Sequence, residues 1–100
     1  MPFSSRAHDN LARAYIENGK LNEAVQTYLT ALKLNNSFPD AYNNLGNVYK
    51  RLGQLEKAIS AYRNALKLEP DNAVYHYNLG NVCRFQGLLD EAEMELVTAI

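Results

Sequence analysis

The chain is poor in the residues that build disulfides, metal centres and reactive thiol sites. Its 100 residues include one cysteine, two histidines and no tryptophan. Because a disulfide needs two cysteines, no internal disulfide can form, and this fits a reducing compartment inside the cell, such as the cytoplasm. Metal ions are usually held by several histidine, cysteine or carboxylate side chains at fixed spacings, and no such group occurs. We therefore predict no metal and no cofactor.

The chain also lacks an excess of one charge and lacks a long apolar run. Its formal net charge is -1 at pH 7, so nothing favours attraction to nucleic acid or to an anionic membrane. No segment approaches the roughly 18 uninterrupted apolar residues of a membrane span. Residues 1–4 do not begin a secretory signal. We predict a soluble protein that binds neither nucleic acid nor membrane.

The motifs of common catalytic sites are missing as well. No G-x-S-x-G turn, H-E-x-x-H helix or glycine-rich phosphate loop occurs. The pattern described below puts Cys83 in a buried helical position, where a thiol is a poor nucleophile. We predict no catalytic residues, so the chain itself is not expected to be an enzyme.

What the chain does contain is a pattern that recurs every 34 residues. A leader of residues 1–4 precedes copies at residues 5–38 and 39–72 and a shortened third copy at residues 73–100. Six aligned positions are identical in all three copies, and we call each aligned set a column. These columns are Asn10/Asn44/Asn78, Leu11/Leu45/Leu79, Gly19/Gly53/Gly87, Leu21/Leu55/Leu89, Ala24/Ala58/Ala92 and Ala31/Ala65/Ala99.

Within each copy the apolar residues predict two amphipathic α-helices. In the middle copy Tyr42, Leu45 and Tyr49 recur at steps of three and four residues, which places them on one side of a helix. A second stripe with similar spacing follows Gly53 and ends before Pro70. Glycine permits the left-handed backbone of a helix end, and proline cannot continue a helix. We therefore predict a helix, a glycine turn and a second helix in every copy.

This pattern resembles the tetratricopeptide repeat, in which two helices fill 34 residues. The residues that carry the resemblance stand in the family's order: Tyr42, Leu45, Gly46, Tyr49, Ala58, Tyr62, Ala65 and Pro70. Two positions depart from it, since Asn36 replaces the closing proline of the first copy and Cys83 replaces an aromatic residue in the third. The resemblance implies an all-α fold, a right-handed superhelical solenoid of antiparallel helix pairs with about six helices. It further implies that the first helices line a concave groove that holds a peptide or a partner protein.

If the apolar stripe faces the core, the opposite side of each first helix lines that groove. The predicted peptide-binding residues are Asn10, Arg13, Asn43, Asn44, Asn47, Lys50, Arg51, Tyr77, Asn78, Asn81 and Arg84. The asparagine column can donate to and accept from an extended peptide backbone. Asparagine is also common at this position in the family, so the column has two interpretations, peptide binding and family habit. We expect that folding does not require it.

The charges on that side of the first helices favour a partner with acidic character. Five cationic residues oppose three carboxylates, which gives +2: Arg6, Arg13, Lys50, Arg51 and Arg84 against Asp9, Glu17 and Asp40. Some members of the family grip the carboxyl terminus of heat-shock chaperones with a clamp of cations, but Asp9 and Val74 stand where the clamp would need them. We therefore expect no tight binding of an acidic chaperone tail.

The aromatic side chains of Tyr77 and Phe85 also fall on this side, and two interpretations stay open. They are either anchors for a ligand or packing residues for a further helix in a longer array. The third copy has no closing proline, so we expect a piece of a longer protein. Its last helix has no cap, and we expect residues 94–100 either to fray or to mediate self-association.

Two functions fit these observations. The first is a noncatalytic scaffold that binds a partner protein or an extended peptide. The alternative is the substrate-selecting arm of a larger enzyme, since the asparagine column and the run Asn44-Leu45-Gly46-Asn47 resemble the repeat arm of protein O-GlcNAc transferases. RNA binding is disfavoured because the chain is not basic.

Overall fold

The computed structural model describes residues 5–85, which form five α-helices and no strand. They are α1 (Ser5–Glu17), α2 (Leu21–Leu34), α3 (Pro39–Arg51), α4 (Leu55–Leu68) and α5 (Ala73–Phe85). The prediction of an all-α fold built from helix pairs is confirmed for this part of the chain. The expected sixth helix, the turn at Gly87 and the fraying of residues 94–100 lie outside the described residues.

Glycine turns join the two helices of each described pair. Gly19 and Gly53 have φ angles of 74° and 77°, which an L side chain rarely adopts. At the second turn the N–H of Gly53 donates to the carbonyl of Lys50 at 3.0 Å, and the N–H of Gln54 donates to the carbonyl of Tyr49 at 2.9 Å. These two bonds form a Schellman motif, which satisfies carbonyls that a helix end leaves unpaired. The turn predicted from the glycine column is therefore confirmed at both positions.

The hydrophobic core is divided into clusters along the stack. The first helix of each following copy covers the cluster of the copy before it. Leu45 of α3 is buried in one cluster with Tyr28 of α2, and Leu79 of α5 is buried in the next cluster with Tyr62 of α4. Cys83 belongs to the second cluster and is fully buried, as predicted. Burial of each helix pair therefore depends on the pair that follows, as in other solenoids.

The ring of Tyr62 fills a space that exists because Gly46 has no side chain. A Cβ at Gly46 would lie 2.7 Å from Cε1 of Tyr62, which is too close for carbon atoms. The ring is fully buried, and its hydroxyl donates to Oδ1 of Asn47. In the first copy Ala12 occupies the glycine position opposite Tyr28, whose buried hydroxyl has no hydrogen-bond partner. The position of Asn47, which bonds to Tyr62, is held by Arg13 in the first copy.

We expect Gly46→Ala to lower the free energy of unfolding by about 1–2 kcal/mol, measured by urea denaturation. Crowding of Tyr62 and loss of its bond to Asn47 outweigh the gain of about 1 kcal/mol in helix propensity. In a Tyr62→Phe background the loss should shrink, because that hydrogen bond is already absent. An alanine variant as stable as the wild type would contradict this account.

Candidate functional site

The first helices α1, α3 and α5 are joined by a row of contacts that we call the first-helix seam. Three hydrogen bonds in it join residues 35 apart, one more than the repeat length, and a contact between a cation and a ring has the same spacing. The contacts are Asn44 Nδ2 to Asp9 Oδ1 (3.4 Å), Asn78 Nδ2 to Asn43 Oδ1 (2.9 Å), Tyr75 hydroxyl to Asp40 Oδ1, and Lys50 Nζ to the centre of the Phe85 ring (5.6 Å). Each first helix therefore meets the next in the same register.

The seam gives two members of the asparagine column a structural role. Asn44 and Asn78 each donate to the preceding first helix, so these two residues make structural contacts that the sequence did not indicate. Asn10, in the first copy, has no preceding first helix among residues 5–85 and is exposed. Part of the repetition is therefore explained by contacts between the copies.

The structure places the predicted peptide-binding residues in three environments. Exposed are Asn10, Arg13, Asn47, Arg51, Tyr77 and Arg84; partly buried are Asn44, Lys50, Asn78 and Asn81; buried is Asn43. The seam uses Asn43, Asn44, Lys50 and Asn78, and Asn47 accepts the hydroxyl of Tyr62. The remaining six side chains lie outside the seam on the first-helix face, which we define as the solvent side of α1, α3 and α5.

Asp9 is a buried carboxylate that is held by two partners. Its Oδ2 lies 3.3 Å from Nε of Arg13, one turn along α1, and its Oδ1 accepts from Asn44. A carboxylate out of water is costly unless such partners surround it. Sequence periodicity put Asp9 on the groove side, but gave no signal that the following helix would cover it.

Two carboxylates of the first helices are engaged in contacts, Asp9 with Arg13 and Asn44, and Asp40 with Tyr75. Asp9 is covered, and Asp40 accepts from the hydroxyl of Tyr75. The guanidinium groups of Arg6, Arg51 and Arg84 belong to exposed residues. A partner would therefore meet charges of both signs, since the carboxylates of Glu17 and Asp40 are exposed beside these guanidinium groups.

Among residues 5–85 the largest pKa shifts belong to buried tyrosine side chains. Burial, with a smaller contribution from the charge of Asp9, raises the pKa of Tyr28 to about 12. Burial also raises the pKa of Tyr62, and it raises the pKa of Tyr75, where the bond to Asp40 adds to the effect. These phenols stay protonated at neutral pH and supply no base or nucleophile there.

Within residues 5–85 no three side chains of the metal-binding types come together. None of the five described helices is long and apolar enough to cross a membrane. His76, which shares a column with His8, has Nε2 at 2.6 Å from the carbonyl oxygen of Pro70. The histidine rings of this column are thus placed on separate helices, α1 and α5.

A concave surface that the sequence did not indicate lies between α2 and α4. It is a groove of about 720 Å³ whose base includes Tyr42, Leu45 and Tyr49 of α3. The ammonium group of Lys57 lies 5.8 Å from the centre of the Tyr49 ring at its edge. Tyr42 and Tyr49, which lie on the apolar stripe of α3, are only partly buried.

Stacked helix pairs with a fixed register define a helical repeat protein. The family model for the TPR repeat matches residues 12–53 and again residues 46–87. The chain therefore belongs to the tetratricopeptide repeat family.

Solved structures have the same fold. Two crystal structures of MamA, each 30% identical, align with 96% of this chain at TM-scores of 0.93 and 0.91, and the chain spans 56% and 52% of their lengths. The second TPR of Spaghetti (RPAP3), bound to the HSP90 peptide SRMEEVD, is 18% identical and aligns with a TM-score of 0.92 over 96% of this chain and 89% of its own. No curated protein sequence matches the chain. The predicted family and the superhelical solenoid are confirmed.

Asn78→Ala should lower the free energy of unfolding by about 1–2 kcal/mol, because it leaves the buried Oδ1 of Asn43 without a donor. The matched control is Asn10→Ala, which removes an exposed side chain of the same column. This substitution should change the free energy of unfolding by less than about 0.5 kcal/mol. Urea denaturation of both variants measures the difference. Equal effects of the two substitutions would show that the seam bond does not stabilise the stack.

Tyr28→Phe should raise the midpoint of alkaline unfolding. The phenol loses its proton near its usual pKa of 10 in the unfolded chain but only near 12 in the folded one, so its contribution to stability is lost as the pH rises through this window. At pH 7 the substitution should lower the free energy of unfolding only slightly, since the hydroxyl of Tyr28 has no hydrogen-bond partner. The matched control is Tyr62→Phe, which removes a hydroxyl that does have a partner. It should lower the free energy of unfolding by about 0.5–1.5 kcal/mol at pH 7. An unchanged alkaline midpoint for Tyr28→Phe would contradict the raised pKa of Tyr28 in the folded chain.

Proposed function

We propose that this chain is a noncatalytic protein-interaction module that binds an extended peptide or a segment of a partner protein on the first-helix face. The observation that carries the proposal is the set of side chains outside the seam. Three first helices present exposed amide, guanidinium and aromatic groups on one side, and the fold holds those helices in a regular row. Such groups suit binding, and no group of metal-binding side chains occurs among residues 5–85.

Membership of the family supports a peptide or protein as the partner. The second TPR of Spaghetti has the same fold and is bound to a peptide. That likeness is one of fold, so it supports the use of a helical groove for an extended chain and leaves the chemistry of recognition to the residues of this protein.

The exposed residues favour a partner segment with acidic side chains. Asn10 and Asn81 can donate to and accept from a peptide backbone, which gives affinity without strong sequence preference. Arg51 and Arg84 can form charge-assisted hydrogen bonds to carboxylates. Tyr77 offers an exposed ring against which an apolar side chain of the partner can pack.

A chaperone tail fits this face poorly. Asp9 and Val74 stand at two positions where a carboxylate clamp needs cations, and Asp9 is already held by Arg13 and Asn44. The expected partner therefore binds through acidic side chains along its length, and a free carboxyl terminus is not the group that is recognised.

The alternative is that these repeats form the substrate-selecting arm of a larger enzyme such as a protein O-GlcNAc transferase. In this alternative the same face binds the substrate, and the residues of this chain carry out no catalysis. The asparagine column suggested it, but Asn44 and Asn78 are engaged in the seam, so this support is weaker than the sequence indicated. The predicted intracellular location suits both functions.

The test starts from peptides selected on the immobilised chain from a random display library. We expect acidic residues to be enriched in them. Arg51→Glu combined with Asn81→Ala should weaken their binding about tenfold, since it replaces an attractive charge by a repulsive one and removes an amide. Fluorescence anisotropy with labelled peptides measures the affinity.

The matched control is Lys33→Glu combined with Asn64→Ala, which makes the same changes in charge and amide content on α2 and α4. It should leave the affinity unchanged, and both double variants should melt close to the wild type. Selection of neutral or basic peptides, or equal losses in the two double variants, would contradict binding on the first-helix face.

A further inference from the structure

The groove between α2 and α4 is separate from the first-helix face, since none of the predicted peptide-binding residues lines it. Its base is the stripe of Tyr42, Leu45 and Tyr49 on α3, and Leu29 of α2 belongs to one wall. Tyr42 and Tyr49 are only partly buried, and Leu29 is 37% exposed. The groove therefore presents aromatic and apolar surface that packing within residues 5–85 leaves open.

The dimensions of the groove suit a small molecule better than a peptide. Its base runs from Tyr42 to Tyr49, and seven residues along a helix correspond to about 10 Å. Its volume of about 720 Å³ lies within the range of roughly 300–1,000 Å³ that is usual for small-molecule sites. An extended peptide spans the same length with about three residues. Most of a longer peptide would therefore find no contact in the groove.

The charged side chains of the groove favour an anion. Two ammonium groups line it, those of Lys33 and Lys57, together with one carboxylate, that of Glu56. The ammonium group of Lys57 lies 5.8 Å from the centre of the Tyr49 ring, whose attraction for a cation holds it beside the base. Burial raises the pKa of Tyr49, so this phenol is uncharged at neutral pH and does not repel an anion. The groove thus combines an apolar base with a net positive rim.

This chemistry is particular to the middle copy. The column of Lys57 holds glutamate in the other two copies, Glu23 and Glu91. In the structure the equivalent recess of the first copy, about 310 Å³ in volume, is lined by Glu23. The column of Tyr42 holds histidine in both other copies. The repeat therefore accepts other residues at these two columns, and its pattern does not explain the pairing of a lysine with two tyrosines.

We propose that the groove between α2 and α4 binds a small carboxylate that carries a flat apolar group, such as an aromatic acid. The apolar group packs on the base against Tyr42 and Leu29, and the carboxylate pairs with the ammonium group of Lys57. Apolar contact supplies most of the affinity, and the charge pair fixes the direction of the ligand. Binding in this groove is independent of the proposed peptide site and leaves the first-helix face free.

Titration of the isotopically labelled chain with β-naphthoate, followed by heteronuclear NMR, tests the proposal. We expect a dissociation constant of about 1 mM or lower. The chemical shift changes should be concentrated on backbone amides of the groove, such as those of Leu29, Lys57 and Ser60. Acetate has the carboxylate without the rings, and β-naphthylmethanol has the rings without the carboxylate. Each should bind about tenfold more weakly than β-naphthoate.

Lys57→Glu should weaken the binding of β-naphthoate about tenfold, because it replaces an attractive charge by a repulsive one. The other two copies carry glutamate at this column, so the variant should fold like the wild type. The matched control is Lys67→Glu, which makes the same change on α4 at a residue that does not line the groove. It should leave the affinity unchanged, and β-naphthylmethanol should bind both variants equally.

Four results would overturn the proposal. The first is the absence of saturable shift changes at about ten times the expected dissociation constant. The second is a set of shift changes that falls on the first-helix face or is spread over the whole chain. The third is an equal loss of affinity in Lys57→Glu and Lys67→Glu. The fourth is displacement of β-naphthoate by the acidic peptides selected on the chain, which would assign the groove to a peptide.

Discussion

The hydrogen bonds across the first-helix seam fix the register on which the rest of the structure depends. They join residues 35 apart in a chain whose pattern repeats every 34 residues. Because the same offset recurs between α1 and α3 and between α3 and α5, each helix pair is added to the last in the same way. Apolar packing supplies most of the burial, but it is tolerant of small shifts, whereas polar partners are satisfied in one register only.

This constraint also determines which residues remain for binding. A buried carboxylate at Asp9 and a buried amide at Asn43 each need a partner, and the next first helix supplies both. Side chains that bond across the seam are not available to bind a ligand. The proposed binding face is made of side chains of the first helices that the seam does not use, among them Arg51 and Asn81.

The helices, the glycine turns and the burial of Cys83 could be predicted from the sequence, because they follow from local periodicity and from backbone limits at single residues. The partners of Asn44 and Asn78 could not. A helical pattern tells which side of a helix a residue occupies, but the offset between two helices depends on their packing, and one residue of offset decides whether Asn44 meets Asp9. The partial exposure of Tyr42 and Tyr49 was missed for a similar reason, since the gap between α2 and α4 is not visible in either helix alone.

We expect the polar contacts across the seam to couple neighbouring copies energetically. A double-mutant cycle on the pair between Asp40 and Tyr75 tests this directly, with unfolding free energies of the wild type, Asp40→Ala, Tyr75→Phe and the double variant. The carboxylate accepts from a buried hydroxyl, so the account predicts a coupling energy of about 0.5–3 kcal/mol. Additive effects within about 0.3 kcal/mol would contradict it.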